Sequence, residues 1–397
     1  MGSILNFVFG ETEKNGNHFF HQSGLYNYIN NNPNFSKTSH YHLSHSLKNI
    51  FLLECKESLH DFYRKDIDGT TILDSLPLRL LNSIKNGSTK ILLASIAEAT
   101  EITDDFFDNI TNELNRFGLN ESHLILLDSN QNLSDYKTKF QTFTTLHFIV
   151  ICNYHPNQLN DLNYVSELPT KSEILNITQR PKHFICLNRN SQRPHRYYLS
   201  LFFEKHKLYD KSLYSLLMQL HLNDFKKLNY LEEYKKDVIK KIPLEIDTQN
   251  RIESLQGFHT GNTFYKQNYL DSYFNIVTET CYEAGQIFFT EKILKPLMCL
   301  QPFIVVSSPN YLKKLKNLGF KTFDSIWDES YDTIEDNEDR LLKIFDLILE
   351  ISNWSLDECE KNYKSVLDIC IYNRNHLSTF WEIDEFSNIL NSIKNEW

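Results

Sequence analysis

Short apolar runs punctuate the first half of the chain: Asn49-Ile50-Phe51-Leu52-Leu53, Lys90-Ile91-Leu92-Leu93-Ala94, His123-Leu124-Ile125-Leu126-Leu127 and Leu146-His147-Phe148-Ile149-Val150-Ile151. Each is apolar on both faces of the strand it would form, and polar segments long enough for helices flank it, which predicts a parallel sheet between helix layers. Between Leu76-Pro77-Leu78 and Asn86-Gly87 the pattern predicts a helix with Pro near its start and Gly at its end. A second α/β pattern begins at Lys182-His183-Phe184-Ile185-Cys186-Leu187. It continues through an expected helix from about 196 to 203, a polar helical segment near 220–242, a strand at 273–278, a helix at 290–300 and a strand at 302–307. From roughly 335 to 395 the chain reads as almost continuous amphipathic helix.

The fold class expected is therefore α/β, with two Rossmann-like domains. Pro156, Pro169 and Pro181, in a stretch rich in Asn, Ser and Thr, place the link between them. The expected division is 1–165, a linker at 166–181, a second domain at 182–350 and C-terminal helices at 351–397. A length of 397 residues suits two ordinary domains, and 41% hydrophobic content fills their cores.

A formal net charge of −10 and a pI near 5.8 speak against a general nucleic-acid binder, so no nucleic-acid partner is expected and any anionic ligand must meet a local basic cluster. No apolar run reaches the roughly 18–20 residues of a transmembrane segment, and a cytoplasmic location is expected. Seven scattered cysteines without a C-x-x-C pair read as reduced, and most lie in apolar runs. His40, His42 and His45 cluster without an H-E-x-x-H or a cysteine partner and read as a polar segment rather than a metal site. Asp66-Ile67-Asp68, the one candidate Asp-x-Asp metal motif, precedes Gly69-Thr70 and reads as a turn.

Two clusters carry candidate chemistry. Asn188-Arg189-Asn190-Ser191-Gln192-Arg193-Pro194-His195-Arg196 follows a strand and runs into a helix, a cationic mouth at the usual ligand side of an open α/β sheet. The planar fork of arginine suits a diphosphate. Thr290-Glu291-Lys292 opens a helix, where free N–H groups and the positive dipole end attract phosphate. Lys292 would add a full charge, and Glu291 could accept from ribose hydroxyls. The order Glu279, Thr290-Glu291-Lys292, then the strand Pro302 to Pro309 resembles the donor-binding motif of the α1,3-fucosyltransferases and related GT-B glycosyltransferases. Gly319-Phe320-Lys321-Thr322-Phe323 and Asp328-Glu329-Ser330-Tyr331-Asp332 look like segments of uncharacterised glycosyltransferase-like proteins of viruses and bacteria.

The resemblance covers roughly 182–335 and implies a GT-B architecture with an interdomain active site and a terminal helix that crosses back to the first domain. It implies a nucleotide-diphosphate-sugar donor, GDP-fucose being the favoured kind, a glycan or other hydroxyl acceptor, inversion, and no metal or other cofactor. Asn188, Arg189, Arg193, Arg196, Glu279, Thr290, Glu291 and Lys292 fall on the donor side, with Arg196 first and Arg193 second for the pyrophosphate. The base would come from the first domain: Glu98 follows the strand at 90–95, and Asp128, the second choice, follows the strand at 123–127. The longer loop after Glu279, and Phe288 where a tyrosine is usual, touch the identity of the sugar rather than the nucleotide. An exostosin-like or retaining enzyme with a UDP-sugar, and a noncatalytic carbohydrate-binding protein of the same fold, stay open beside this reading.

Overall fold

A strand with apolar side chains on both faces must be covered on both faces, and the chain answers this need with two all-parallel sheets clothed by helices. In the computed structural model the described residues are 5–9, 36–39, 43, 48–55, 58–95, 99–133, 135, 142–147, 168–188, 193–216, 225–244, 265–381 and 385–395. The chain divides into two compact units. Unit 1 comprises 1–150, Gly285–Phe288 and 384–397; unit 2 comprises 151–284 and 289–383.

In unit 1 the strands are β1 (Leu5–Phe9), β2 (Ser36–Ser39), β3 (Lys48–Glu54), β4 (Thr89–Ser95), β5 (Leu124–Asp128) and β6 (Thr144–His147). Their order across the sheet is β2-β1-β3-β4-β5-β6, with every pair parallel. All five residues of β5 are buried. Each fully buried Leu or Ile is worth about 1.5–3 kcal/mol relative to exposure, so these strands anchor the unit. Helix α1 (Leu78–Lys85) starts from Pro77 and ends at Asn86, followed by Gly87 at φ 76°, a left-handed position that glycine adopts without strain. Helix α2 (Asp104–Arg116) buries Phe106, Phe107, Ile110 and Leu114 in the core beneath the sheet. The Asp66-Ile67-Asp68 segment is a turn: Asp66 C=O accepts from Gly69 N–H at 2.8 Å, and Asp68 Oδ1 accepts from Thr70 N–H at 3.0 Å.

Among the described residues, the first element of unit 2 is α3 (Lys171–Asn176), inside the stretch expected to be linker. Its cause is a capping box: Thr170 Oγ1 accepts from Glu173 N–H while Glu173 Oε2 accepts from Thr170 N–H at 2.7 Å. The sheet contains β7 (Lys182–Asn188), β8 (Ser212–Leu216), β9 (Ser272–Thr278) and β10 (Phe303–Val306). Its order is β10-β9-β7-β8, again all parallel. Helix α4 (Pro194–Lys205) follows β7 with Pro in its first turn, and every residue from His195 to Phe203 is buried, as a helix enclosed on all sides must be.

The polar segment expected as one helix near 220–242 is a 3-10 helix, Lys226–Tyr234, running into α5 (Lys235–Lys241) among the described residues. Next come α6 (Lys266–Leu270), α7 (Glu291–Met298), α8 (Tyr311–Asn317), α9 (Asn337–Ser352), α10 (Leu356–Ser365) and α11 (Leu367–Trp381). Helix α12 (Glu385–Asn395) belongs to unit 1. No helix among the described residues is long and apolar enough to cross a membrane. The six described cysteines are buried and form no disulfide, Cys152 lying outside the described residues.

Candidate functional site

In unit 2 the chain leaves β7 toward β8 on one side, while β9 and β10 extend the sheet on the other. The strand order therefore reverses between β7 and β9, the kind of crevice where open α/β sheets take their ligands. The described candidate residues of the second half gather at the C-terminal ends of these two strands.

Asn188 closes β7 and is 1% exposed. Its Oδ1 accepts from Thr278 Oγ1 at 2.5 Å, its Nδ2 meets Cys186 Sγ at 3.2 Å, and its N–H donates to Ser215 Oγ at 3.1 Å. It is a lock across three strand ends. Arg189 lies outside the described residues. Arg193 is exposed at the N-cap of α4, while His195 and Arg196 turn inward. Arg196 Nη2 donates to the carbonyls of Thr278 and Glu279, both at 2.9 Å, so the guanidinium braces the end of β9. Burial lowers its pKa, and the carboxylate of Glu279 opposes that shift.

His195 Nε2 lies 2.9 Å from the Glu279 carbonyl and must carry the proton there. Burial, followed by the charge of Arg196, holds His195 well below the usual imidazole range, so the ring is neutral. It stacks on Tyr282 with ring centroids 4.7 Å apart.

The loop after β9 carries the buried Glu279. Its carboxylate accepts from Thr290 N–H at 3.3 Å, Thr290 Oγ1 at 2.5 Å and Tyr311 Oη at 2.8 Å. Burial raises its pKa, and Lys292 is the largest opposing influence. The structure thus places Glu279 behind the helix start, where its side chain organises that start and is withheld from solvent.

Thr290 is the N-cap of α7, its Oγ1 accepting from Lys292 N–H at 3.2 Å. Lys292 Nζ donates to Glu291 Oε1 at 2.8 Å, Thr290 Oγ1 at 3.2 Å and Thr280 Oγ1 at 3.4 Å. The two charged side chains retain 24% and 22% exposure, so the pair is reachable while its neighbours Thr290 and Glu279 are buried. Burial pushes the Glu291 carboxyl up, but Lys292 and then Lys295 outweigh it, and the net shift is downward. An ionised carboxylate beside an ammonium at a helix start offers both a hydroxyl acceptor and a phosphate ligand.

Arg340 carries no signal in the sequence, where it looks like a solvated residue in the first turns of α9. It is 1% exposed. It donates to Ser307 C=O at 3.0 Å, Tyr282 C=O at 2.5 Å, Ile334 C=O at 2.7 Å and Asn337 Oδ1 at 2.7 Å. One side chain thereby ties the loops after β9 and β10 to the start of α9. Tyr311 and Tyr282 carry no sequence signal either, since a tyrosine after a strand has no pattern that separates it from core.

In unit 1, Asp128 ends β5 and is completely buried. Its Oδ1 accepts from Thr100 N–H at 3.1 Å and Asn130 N–H at 2.6 Å. Burial raises its pKa to about 7 against the pull of these bonds. Asn130 holds the Gly285–Phe288 segment of the same unit, donating to Gly285 C=O at 2.7 Å and accepting from Ile287 N–H at 3.0 Å. Glu98, like His40, His42 and His45, lies outside the described residues. No cluster of three or more potential metal-ligating His, Cys, Asp or Glu side chains occurs among the described residues.

No family model matches the chain, and no curated protein matches it. Among solved structures it is similar to a UDP-forming α,α-trehalose-phosphate synthase from Burkholderia vietnamiensis, at 10% identity and a TM-score of 0.37 over 99% of both chains. It is similar to a glycosyltransferase from Rickettsia africae ESF-5, at 12% identity and a TM-score of 0.36, over 87% of this chain and 76% of that one. It is also similar to an alpha1,3-fucosyltransferase, at 10% identity and a TM-score of 0.34, over 92% of this chain and 90% of that one. The α/β class with two Rossmann-like units rests on the two strand orders.

Proposed function

We propose that the chain is a GT-B glycosyltransferase. It would bind a nucleotide-diphosphate sugar at the ends of β7 and β9, a GDP-sugar such as GDP-fucose being favoured, and move the sugar to a glycan or other hydroxyl acceptor. The observation that carries this reading is the Lys292 ammonium, held by Thr280, Thr290 and Glu291 at the start of α7 beside the reversal of strand order. In this reading Lys292 and the helix start take a phosphate, Glu291 takes the ribose hydroxyls, and exposed Arg193 forks onto the second phosphate. Arg196 acts from behind, bracing the Glu279 backbone. These groups meet the diphosphate's charge without requiring a metal, and they stabilise that charge as it grows on the leaving group.

For inversion a base must take the acceptor proton. Glu98 keeps that role as a proposal. Asp128 has a pKa suited to proton transfer near neutrality but no exposed atom, and its bonds to Thr100 and Asn130 suit a residue that shapes the loop. That burial favours a second reading, a noncatalytic carbohydrate-binding protein of the same fold that binds the nucleotide sugar without transfer.

A thermal-shift screen against GDP, UDP, CMP and dTDP and their sugars tests both, because a ligand of the native state raises the melting temperature. Wild type should shift with one nucleotide class, and Lys292→Ala should weaken that binding by roughly 1.5–3 kcal/mol, the size of a charge-assisted contact. No shift with any nucleotide sinks both readings. Binding without donor hydrolysis or transfer on a broad acceptor panel leaves the second.

A further inference from the structure

A buried polar chain runs from the acidic loop at 328–332 to the Lys292 ammonium. Its outer end is Asp332, whose carboxylate accepts from Leu312 N–H at 2.8 Å and Lys313 N–H at 3.1 Å and so fixes the first turn of α8. The backbone closes the same corner, Asn310 N–H donating to Asp332 C=O at 2.5 Å. The first residue of α8 is Tyr311, 1% exposed and edge-on to Phe289 at 4.9 Å between centroids. With its ring clamped, the hydroxyl has one direction, and it donates to Glu279 Oε1 at 2.8 Å. The other carboxylate oxygen of Glu279 accepts from Thr290 Oγ1 at 2.5 Å. Because that bond uses the hydroxyl proton, the Thr290 oxygen turns its lone pairs to Lys292, accepting from its N–H and its Nζ, both at 3.2 Å.

We infer that Tyr311 is a positioning residue for the nucleotide-phosphate ligand Lys292, acting through Glu279 and Thr290, with Asp332 holding Tyr311 in place. The inference rests on the donor-site reading above. Each link restricts the next. Tyr311 and Thr290 fix the carboxylate plane of Glu279, the carboxylate fixes the rotor of the Thr290 hydroxyl, and the hydroxyl's lone pairs fix the ammonium. Three side chains that never touch the nucleotide would thus decide where its phosphate is met. This accounts for a fully buried glutamate behind a charged helix start, and for Asp332 at the end of the Asp328-Glu329-Ser330-Tyr331-Asp332 segment, whose carboxylate holds the first turn of α8.

The test is a double-mutant cycle read by titration calorimetry with GDP and with UDP on the full chain, folding being checked by circular dichroism. Tyr311→Phe, which removes only the hydroxyl, should weaken nucleotide binding about 10-fold, the scale of one lost hydrogen bond to a charged group. In a Lys292→Ala background the same change should have an effect of less than about 2-fold, because a residue acting through Lys292 has nothing left to position. Thr290→Val should resemble Lys292→Ala, and Thr290→Ser, which keeps the hydroxyl, should restore binding. Fully additive effects of Tyr311→Phe and Lys292→Ala, or a Tyr311→Phe protein that binds like wild type while Lys292→Ala does not, overturn the chain and leave the donor site standing. A folded wild type that binds neither nucleotide overturns the donor-site reading and this inference with it.

Discussion

The guanidinium of Arg340 lies 4.5 Å from the ring centre of Tyr282 while one of its nitrogens donates to the Tyr282 carbonyl. Ring and backbone of one loop residue are held by the same side chain, and Tyr282 in turn stacks on His195. The column Arg340, Tyr282, His195 stiffens the β9 loop from α9 to α4.

Arg340→Met should therefore cost more than a single contact. It leaves the buried carbonyls of Ser307 and Tyr282 without their donor, and about 3–5 kcal/mol of stability should be lost. Urea unfolding followed by tryptophan fluorescence measures this, and a change below about 1 kcal/mol would reduce Arg340 to a spectator.

Arg193 and Arg196 should separate by what they damage. Arg196→Ala removes the brace on Thr278 and Glu279, so it should lower the melting temperature and lose nucleotide binding as a result. Arg193→Ala, on an exposed residue, should leave the melting temperature within about a degree and weaken binding alone. The opposite pattern would move the phosphate ligand to Arg196.

Asp128 makes stability depend on pH in a stated direction. Its carboxyl rises from an ordinary 3.8 to about 7 in the fold, so between these values the native state holds a proton that the unfolded chain has released. Stability from this group is full below about pH 4, falls as pH rises to about 7, and is level beyond. The loss is on the order of 4 kcal/mol, at roughly 1.4 kcal/mol per tenfold. Wild type minus Asp128→Asn, compared by urea unfolding from about pH 4 to about pH 8, should reproduce that slope. A difference independent of pH would place the carboxyl at its ordinary value.

Gly319 has φ 90°, and a Cβ there would lie 2.6 Å from His376 Nε2. His376 is committed to the Leu318 carbonyl at 2.7 Å and cannot retreat without losing it. Gly319→Ala should destabilise by about 1–3 kcal/mol from backbone strain and overlap together. Adding His376→Ala should return part of it, measured as melting temperature.

Much of this fold was legible because long apolar runs can do little else. The runs at 49–53, 90–94, 123–127, 182–187 and 273–278 became β3, β4, β5, β7 and β9 with ends shifted by at most one residue. Strand β8, Ser212-Leu213-Tyr214-Ser215-Leu216, carries no apolar run to mark it, because Ser212 and Ser215 interrupt its apolar residues, and Ser212 is buried by its place in the sheet. Helix α3 was hidden by the prolines around it although Thr170 and Glu173 spell its capping box.

At the site, Thr290 as N-cap and the Glu291–Lys292 pair were readable from a helix-start pattern. The inward turn of Arg196 and Glu279 was not, because a charged residue near a strand end reads as solvent-facing. Arg196 finds its partners in the backbone carbonyls of Thr278 and Glu279, and the Glu279 carboxylate in Thr290 and Tyr311, all distant from them or hidden in the sequence pattern.

The membership of unit 1 has a practical consequence for anyone cutting the gene. That unit is assembled from three separated lengths of chain, 1–150, 285–288 and 384–397. A fragment ending at 150 would lack the backbone partners of the Asn130 side chain at Gly285 and Ile287, and it would also lack helix α12. A fragment of 151–383 would carry 285–288 as a foreign insert. Dissection by simple truncation should thus yield two incomplete halves, and a faithful unit 1 needs those four residues supplied through a designed connection.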